Sequence, residues 1–160
     1  LAGIAPFPGQ RSGVKEKKYF HLKPQEPQGM NKKIIWDQSF ETGIAEIDTQ
    51  HQRLVEIINS LADGIGHASM DDLHNILTQL KEYANYHFRA EETLMEAAGY
   101  AGLEEHRDEH LAFVDQILLF DLDVILASEG LAWDMFHFLR GWLTNHILVV
   151  DKKFSTAMPA

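Results

Sequence analysis

The sequence predicts an all-α fold: an antiparallel, up-down-up-down four-helix bundle preceded by an N-terminal arm. Three observations carry this expectation. From about residue 48 onward, apolar residues recur at spacings of three and four in four successive runs, with polar residues between them. Short breaks separate the runs, and helices of similar length joined by short connections pack antiparallel. No proline interrupts any run, and no stretch shows the strict alternation of a half-buried strand.

Each helix is read from its own stripe. The first places His51, Leu54, Val55, Ile58, Leu61 and Ile65 on one face and stops near Gly64 and Gly66. The second opens at Ser69, with Asp72 three residues on as a variant of the capping box. Its stripe is Leu73, Ile76, Leu77, Leu80, Ala84, His87, Glu91 and Leu94, and it stops at Gly99. The third runs through Leu103, His106, His110, Phe113, Ile117, Phe120 and Val124, ending around Ser128-Glu129-Gly130. The fourth carries Ala132, Met135, Phe136, Leu139, Leu143, His146 and Val150.

Composition narrows the function classes. A chain of 160 residues with 45% hydrophobic content is one domain's worth and can bury a real core. With no cysteine there is no disulfide, thiolate metal site, iron–sulfur cluster or attached c-type haem. A net charge of −10 argues against a nucleic-acid partner, which needs a basic stripe. No apolar run approaches the ~18 residues of a membrane span, so membrane insertion is not expected and the chain is read as cytoplasmic and monomeric. Residues 1–29 stand apart. They hold four of the five prolines and a local excess of positive charge, and Met30-Asn31-Lys32-Lys33 resembles a translation start. They read as a flexible leader or upstream extension. Pro6 and Pro8 break the one apolar patch a secretory signal would need. The domain proper, 30–160, then carries nine basic and 22 acidic residues, or −13.

The informative feature is the polar content of the apolar stripes. His51, His87, Glu91, His106, His110 and His146 occupy positions that periodicity assigns to the core, and every helix contributes at least one. His87 with Glu91, and His106 with His110, are i,i+4 pairs, only about 40° apart around a helix. One such histidine alone reads as a hydrogen-bonded core residue, and one such glutamate as a boundary position facing water. Six together are costly, because each buried carboxylate or imidazole without a partner carries a desolvation penalty. A small domain has only about 5–15 kcal/mol of net stability to set against that. A cation supplies the missing partner charge. Imidazole and carboxylate without sulfur suit iron, zinc, copper or manganese, and so large a donor set exceeds one tetrahedral zinc and points to a dinuclear site. The usual di-iron bundle has more carboxylate and less nitrogen. Fewer anionic ligands favour the reduced state, and so reversible oxygen binding over oxygen activation.

The spacing resembles that of the hemerythrins. His51, His87-Phe88-x-x-Glu91, His106-x-x-x-His110 and His146-x-x-x-x-Asp151 match that family's seven-ligand set. Trp36, Gly43, Asp48 and Gln50-His51 match the leading signature of its bacterial members, and Trp142-Leu143-x-x-His146 the segment before its last histidine. The resemblance spans residues 34–154. It implies two iron ions, one held by His106, His110 and His146 and the other by His51 and His87. Glu91, Asp151 and an oxo or hydroxo group would bridge them, and O2 would bind at the two-histidine iron. Phe88, Leu143 and Ile147 match positions lining the oxygen pocket, where a dry apolar wall slows proton and water access and so protects the oxygenated state from losing peroxide.

One spacing resists a regular helix. His146 and Asp151 are i,i+5, about 140° apart, so the helix is expected to loosen or end near Val149-Val150. Trp36 and Trp142 read as packing residues, and His21, His67, His74 and His137 as non-ligands. The function implied is reversible O2 binding, with no enzymatic activity of its own, for storage or delivery to an oxygen-consuming partner. The alternatives are an oxygen or redox sensor module, a di-iron enzyme acting on peroxide or nitric oxide, and a structural bundle empty or loaded with zinc.

Overall fold

The computed structural model describes residues 33–157. The reading of residues 1–29 as a leader, and His21 with it, lies outside the described residues. Four long helices form the bundle: α1 (Ala45–Gly64), α2 (Met70–Ala97), α3 (Leu103–Ile125) and α4 (Leu131–Asn145). A six-residue π-helical turn, His146–Asp151, continues α4 into a short α5 (Lys152–Ala157). No strand occurs among the described residues. Each helix packs on its chain neighbours, and α1 closes the ring against α4, the up-down-up-down bundle the sequence predicts.

Local chemistry sets the boundaries. Ser69 caps α2: its hydroxyl accepts from the Asp72 amide at 3.2 Å, and its own amide donates to the Asp72 carboxylate at 2.9 Å. The reciprocal pair satisfies two donors that a helix start leaves free. At the far end, Gly99 takes φ +63°, and the Tyr100 amide reaches back to the Met95 carbonyl at 2.9 Å.

The arm before α1 is fastened rather than loose from Ile34 onward. The Ile34 amide donates to the Asn59 side chain at 2.7 Å, and the Asn59 amide group returns a bond to the Ile34 carbonyl at 2.9 Å. Asp48 accepts from the Thr42 amide, the Thr42 hydroxyl (both 2.7 Å) and the Gly43 amide (3.1 Å). Gly43 sits at φ +84°, where a side chain would be strained. Two positions of the leading motif therefore anchor the entry to α1.

The core runs the length of the bundle from Leu54, Ile58 and Leu61 on α1 through Leu77, Leu80, Phe113, Ile117, Met135, Phe136 and Leu139. One feature departs from a simple stripe. Leu111, Leu118, Leu119, Leu122, Ile125 and Leu126, all on α3 or its C-cap, are exposed. The core face read from the sequence is nevertheless correct, since His106, His110, Phe113, Ile117 and Phe120 are the buried residues of that helix.

Candidate metal centre

The seven polar residues predicted as ligands meet in one place inside the bundle. α1 brings His51, α2 brings His87 and Glu91, α3 brings His106 and His110, and the π-turn brings His146 and Asp151. None is more than 3% exposed. The helix faces deliver them because each histidine replaces an apolar residue in its stripe without disturbing the period.

The π-turn resolves the awkward spacing. Hydrogen bonding from i to i+5 widens the helix so that residues five apart overlie one another. The helix loosens, as expected, over His146–Asp151, a stretch that includes Val149-Val150, and it continues into α5 instead of ending there. Asp151 Oδ1 comes to 3.2 Å from His146 Nε2, while Oδ2 lies 3.1 Å from His51 Nε2.

The Nε2 atoms converge on the two carboxylates. Glu91 Oε2 lies 3.2 Å from both His106 and His110, 3.5 Å from His87 and 4.0 Å from His146; its Oε1 is 3.7 Å from His51. His106 stands 3.7 Å from Asp151 Oδ1, so Asp151 turns one oxygen to His51 and the other to the His106 and His146 side. Two overlapping donor groups result, Glu91 with His106, His110 and His146, and Glu91 with His51 and His87.

Donors outnumber protein partners here. His51 Nε2, His87 Nε2 and both oxygens of Asp151 are buried with no hydrogen bond among the described residues. His110 Nε2 and His146 Nε2 face each other at 3.2 Å, two like lone pairs unless one is protonated. Such a cluster is unfavourable without a cation and suited to one or two of them. The residues present therefore fit the metal that the sequence implies.

Electrostatics point the same way. Burial pushes the pKa of His87 down to about 3, with Glu91 opposing, and burial likewise lowers His51 and His146. These imidazoles are neutral, the form that binds metal. Burial and the adjacent charge of Glu91 push Asp151 up to about 8, with His146 and His106 opposing. Burial also acts to raise Glu91, but His87 and the close approach of the His106, His110 and His146 rings outweigh it and hold Glu91 well below the usual carboxylate range. Without metal the pair thus carries one charge, on Glu91.

Sequence reasoning assigned no role to the residues behind the histidines. His87 Nδ1–H donates to the Gln50 side-chain oxygen at 2.7 Å, and His110 Nδ1–H donates to Glu92 at 2.9 Å. Each bond leaves the Nε2 lone pair facing inward. Glu92 also accepts from Arg107 Nε at 3.1 Å, and Arg107 extends to Glu104 at 2.7 Å and to Glu96. Burial acts to raise Glu92, but His110 and Arg107 hold its pKa below the ordinary range. Tyr83 stacks on His87 at 4.8 Å, its hydroxyl buried and without a hydrogen bond among the described residues. Gln50 stands in the leading signature but was given no role there; as a polar position one residue before His51 it carried a signal. Glu92 and Arg107 gave no signal, since each lies beside a ligand-type residue on a more exposed face.

Of the expected pocket residues, Phe88 stacks flat on His110, ring centres 3.7 Å apart and planes 9° apart. It also lines an apolar cleft of about 360 Å³ between α2 and α3, with Ala84, Phe113, Val114, Ile117 and Leu118. Leu143 and Ile147 are buried in the core and do not line that cleft. Trp142 packs, as expected, on His146, with ring centres 4.2 Å apart. His67, His74 and His137 are exposed and belong to neither donor group.

Comparison with known proteins decides the family. Residues 42–157 match the family model described as the hemerythrin HHE cation binding domain. The chain belongs to the hemerythrin family. It is 31% identical to a bacteriohemerythrin of Clostridium acetobutylicum over 126 residues, 76% of this chain and 98% of that one. A Pseudomonas aeruginosa bacteriohemerythrin is 36% identical over 128 residues, covering 78% and 81%. Hemerythrin subunit 1 of Golfingia vulgaris is 33% identical over 120 residues, covering 75% and 89%. A crystal structure of wild-type hemerythrin superposes with a TM-score of 0.72 at 29% identity, covering 79% of this chain and 98% of that one. A hemerythrin cation site accounts for buried donors that the protein alone leaves unpaired.

Proposed function

We propose that this hemerythrin binds O2 reversibly at a pair of iron ions, for storage or for delivery to an oxygen-consuming partner, and is not itself an enzyme. One observation carries the reading: five imidazoles and two carboxylates converge in a buried site where several of their inward atoms have no partner among the described residues. His106, His110 and His146 would hold one ion and His51 and His87 the other, with Glu91 and Asp151 between them. When bound, the metal pair supplies the oxygen-binding site and the electrons shared reversibly with O2.

The remaining work falls to the chain. Gln50 and Glu92 fix two imidazole rings and their tautomers. Phe88, Trp142 and Tyr83 lie against His110, His146 and His87 and exclude water from the histidine rings. Leu143 and Ile147, both buried and close to His146 in the chain, add apolar bulk to the core. A largely apolar wall of this kind limits the access of water and solvent protons, so bound oxygen is slow to leave in reduced form.

The test is an anaerobic-to-aerobic optical titration of iron-loaded protein with iron quantified per chain. Two irons per chain and a visible charge-transfer band that appears with oxygen and vanishes on its removal are expected. Less than one iron per chain, or a band that never reverses, refutes the proposal. Rapid oxidation with catalytic consumption of peroxide or nitric oxide would instead favour an enzyme.

A further inference from the structure

The two donor groups of the centre are backed unequally. Only two of the five inward-facing histidines have a partner on the outer nitrogen, since Nδ1 of His51, His106 and His146 has none among the described residues. His87, in the group of two, leans on a neutral amide, Gln50. His110, in the group of three, leans on a carboxylate, Glu92, itself tied to Arg107. A carboxylate behind an imidazole makes that ring a stronger donor than an amide does, and an outer partner of this kind also fixes ring orientation.

We propose that Glu92 is a positioning residue that, clamped by Arg107, orients His110 and makes the three-histidine half of the centre the more electron-rich half. The proposal rests on the metal reading above. Glu92 lies on α2 directly after Glu91, and Arg107 lies on α3 directly after His106, so the outer pair also ties together the two helices that supply four of the seven inward residues. Arg107 reaches Glu96 and Glu104 as well, which holds the guanidinium over Glu92 instead of leaving it free in solvent. Gln50 donates its own amide to Glu46 at 3.3 Å and has no cation behind it among the described residues.

The test begins without metal. Long-range proton–nitrogen NMR of the metal-free protein should show His110 as a single tautomer protonated on Nδ1. Glu92→Ala should lose that preference, and Glu92→Gln, which keeps an acceptor oxygen, should restore it. Ferrous iron is then titrated anaerobically. Glu92→Ala should bind about tenfold to a hundredfold more weakly, as loss of an outer partner usually does. Glu92→Gln should bind nearly as wild type but with a higher reduction potential, because the charge is gone. Gln50→Glu should move the potential the opposite way, a pair of shifts that a merely structural role would not produce. Wild-type protein that takes up iron alongside Glu92→Ala with unchanged tautomer and affinity overturns the proposal alone. Wild-type protein that takes up no iron overturns the metal reading, and the proposal with it.

Discussion

Replacing Asp151 with Asn isolates the electrostatic cost of the metal-free site. Burial and Glu91 hold the Asp151 pKa at about 8 in the folded protein, against 3.8 for an ordinary aspartate. The folded state therefore keeps a proton that the unfolded chain has released, and stability falls as pH rises from about 4 through about 8. His51, His87 and His146, lowered from 6.5 by burial, act in the opposite sense, and their contribution is lost as pH falls below 6.5. Between pH 7 and pH 9 the difference between wild type and Asp151→Asn thus belongs to Asp151. Its proton occupancy falls from nearly one to nearly none, which integrates to about 1 kcal/mol. For a domain of this size that is roughly 2–4 °C in Tm. Scanning fluorimetry of metal-free protein should show wild type losing those degrees relative to Asp151→Asn over that interval. Metal binding at pH 7 should also release about one proton from wild type and none from this position in the variant. Parallel pH profiles for the two proteins, or a wild type that gains stability relative to the variant as pH rises, would refute the assignment of the proton to Asp151.

Other outcomes follow from the same geometry. Leu143→Ala should cost about 2–5 kcal/mol, since the side chain is fully buried. It should leave iron content intact while speeding autoxidation, and unchanged autoxidation would remove Leu143 from the oxygen pocket. His106→Ala should lose metal, read by iron analysis after anaerobic loading, because Nε2 of this histidine approaches both carboxylates. Asp48→Ala removes three hydrogen bonds at the entry to α1. It should cost about 1–3 kcal/mol in denaturant unfolding, with two irons still bound. Saturating metal at about a thousandfold over Kd should stabilise wild type by about 4 kcal/mol per ion, roughly 8–16 °C in Tm.

The fold and the inner histidines were legible because both obey the helical period. His87, His106, His110 and His146 stand where a leucine would, so the pattern that predicts the bundle also places them inside it. The capping box at Ser69 was legible for the same reason, being a local pattern with a local consequence. Glu92 and Arg107 were not, since their roles depend on which face of α2 meets which face of α3, and no spacing along one helix contains that. The exposed leucines of α3 lie off the stripe read from the sequence, as the helical period requires, though the period says nothing of why that outer face is apolar. The cleft beside Phe88 depends on how helices splay, which is equally absent from the pattern.

Asp151 shows where the two kinds of information meet. Read alone, it is a helix-end acid before Lys152-Lys153, and on a regular helix it would point about 140° away from His146. The π-turn brings it inward, and α5 then resumes with Phe154 buried against Tyr100, ring centres 5.3 Å apart. The turn thus accommodates one extra residue, and the chain beyond it still packs on the bundle. Widening a helix sacrifices good i to i+4 bonds, and such turns cluster at functional sites. Here the gain is specific: Asp151 becomes the carboxylate that faces His51 on one oxygen and His146 on the other. An i,i+5 pair of ligand-type residues in an otherwise regular apolar stripe is therefore itself a sequence signal. It marks a place where the helix must widen if both side chains are to serve one centre.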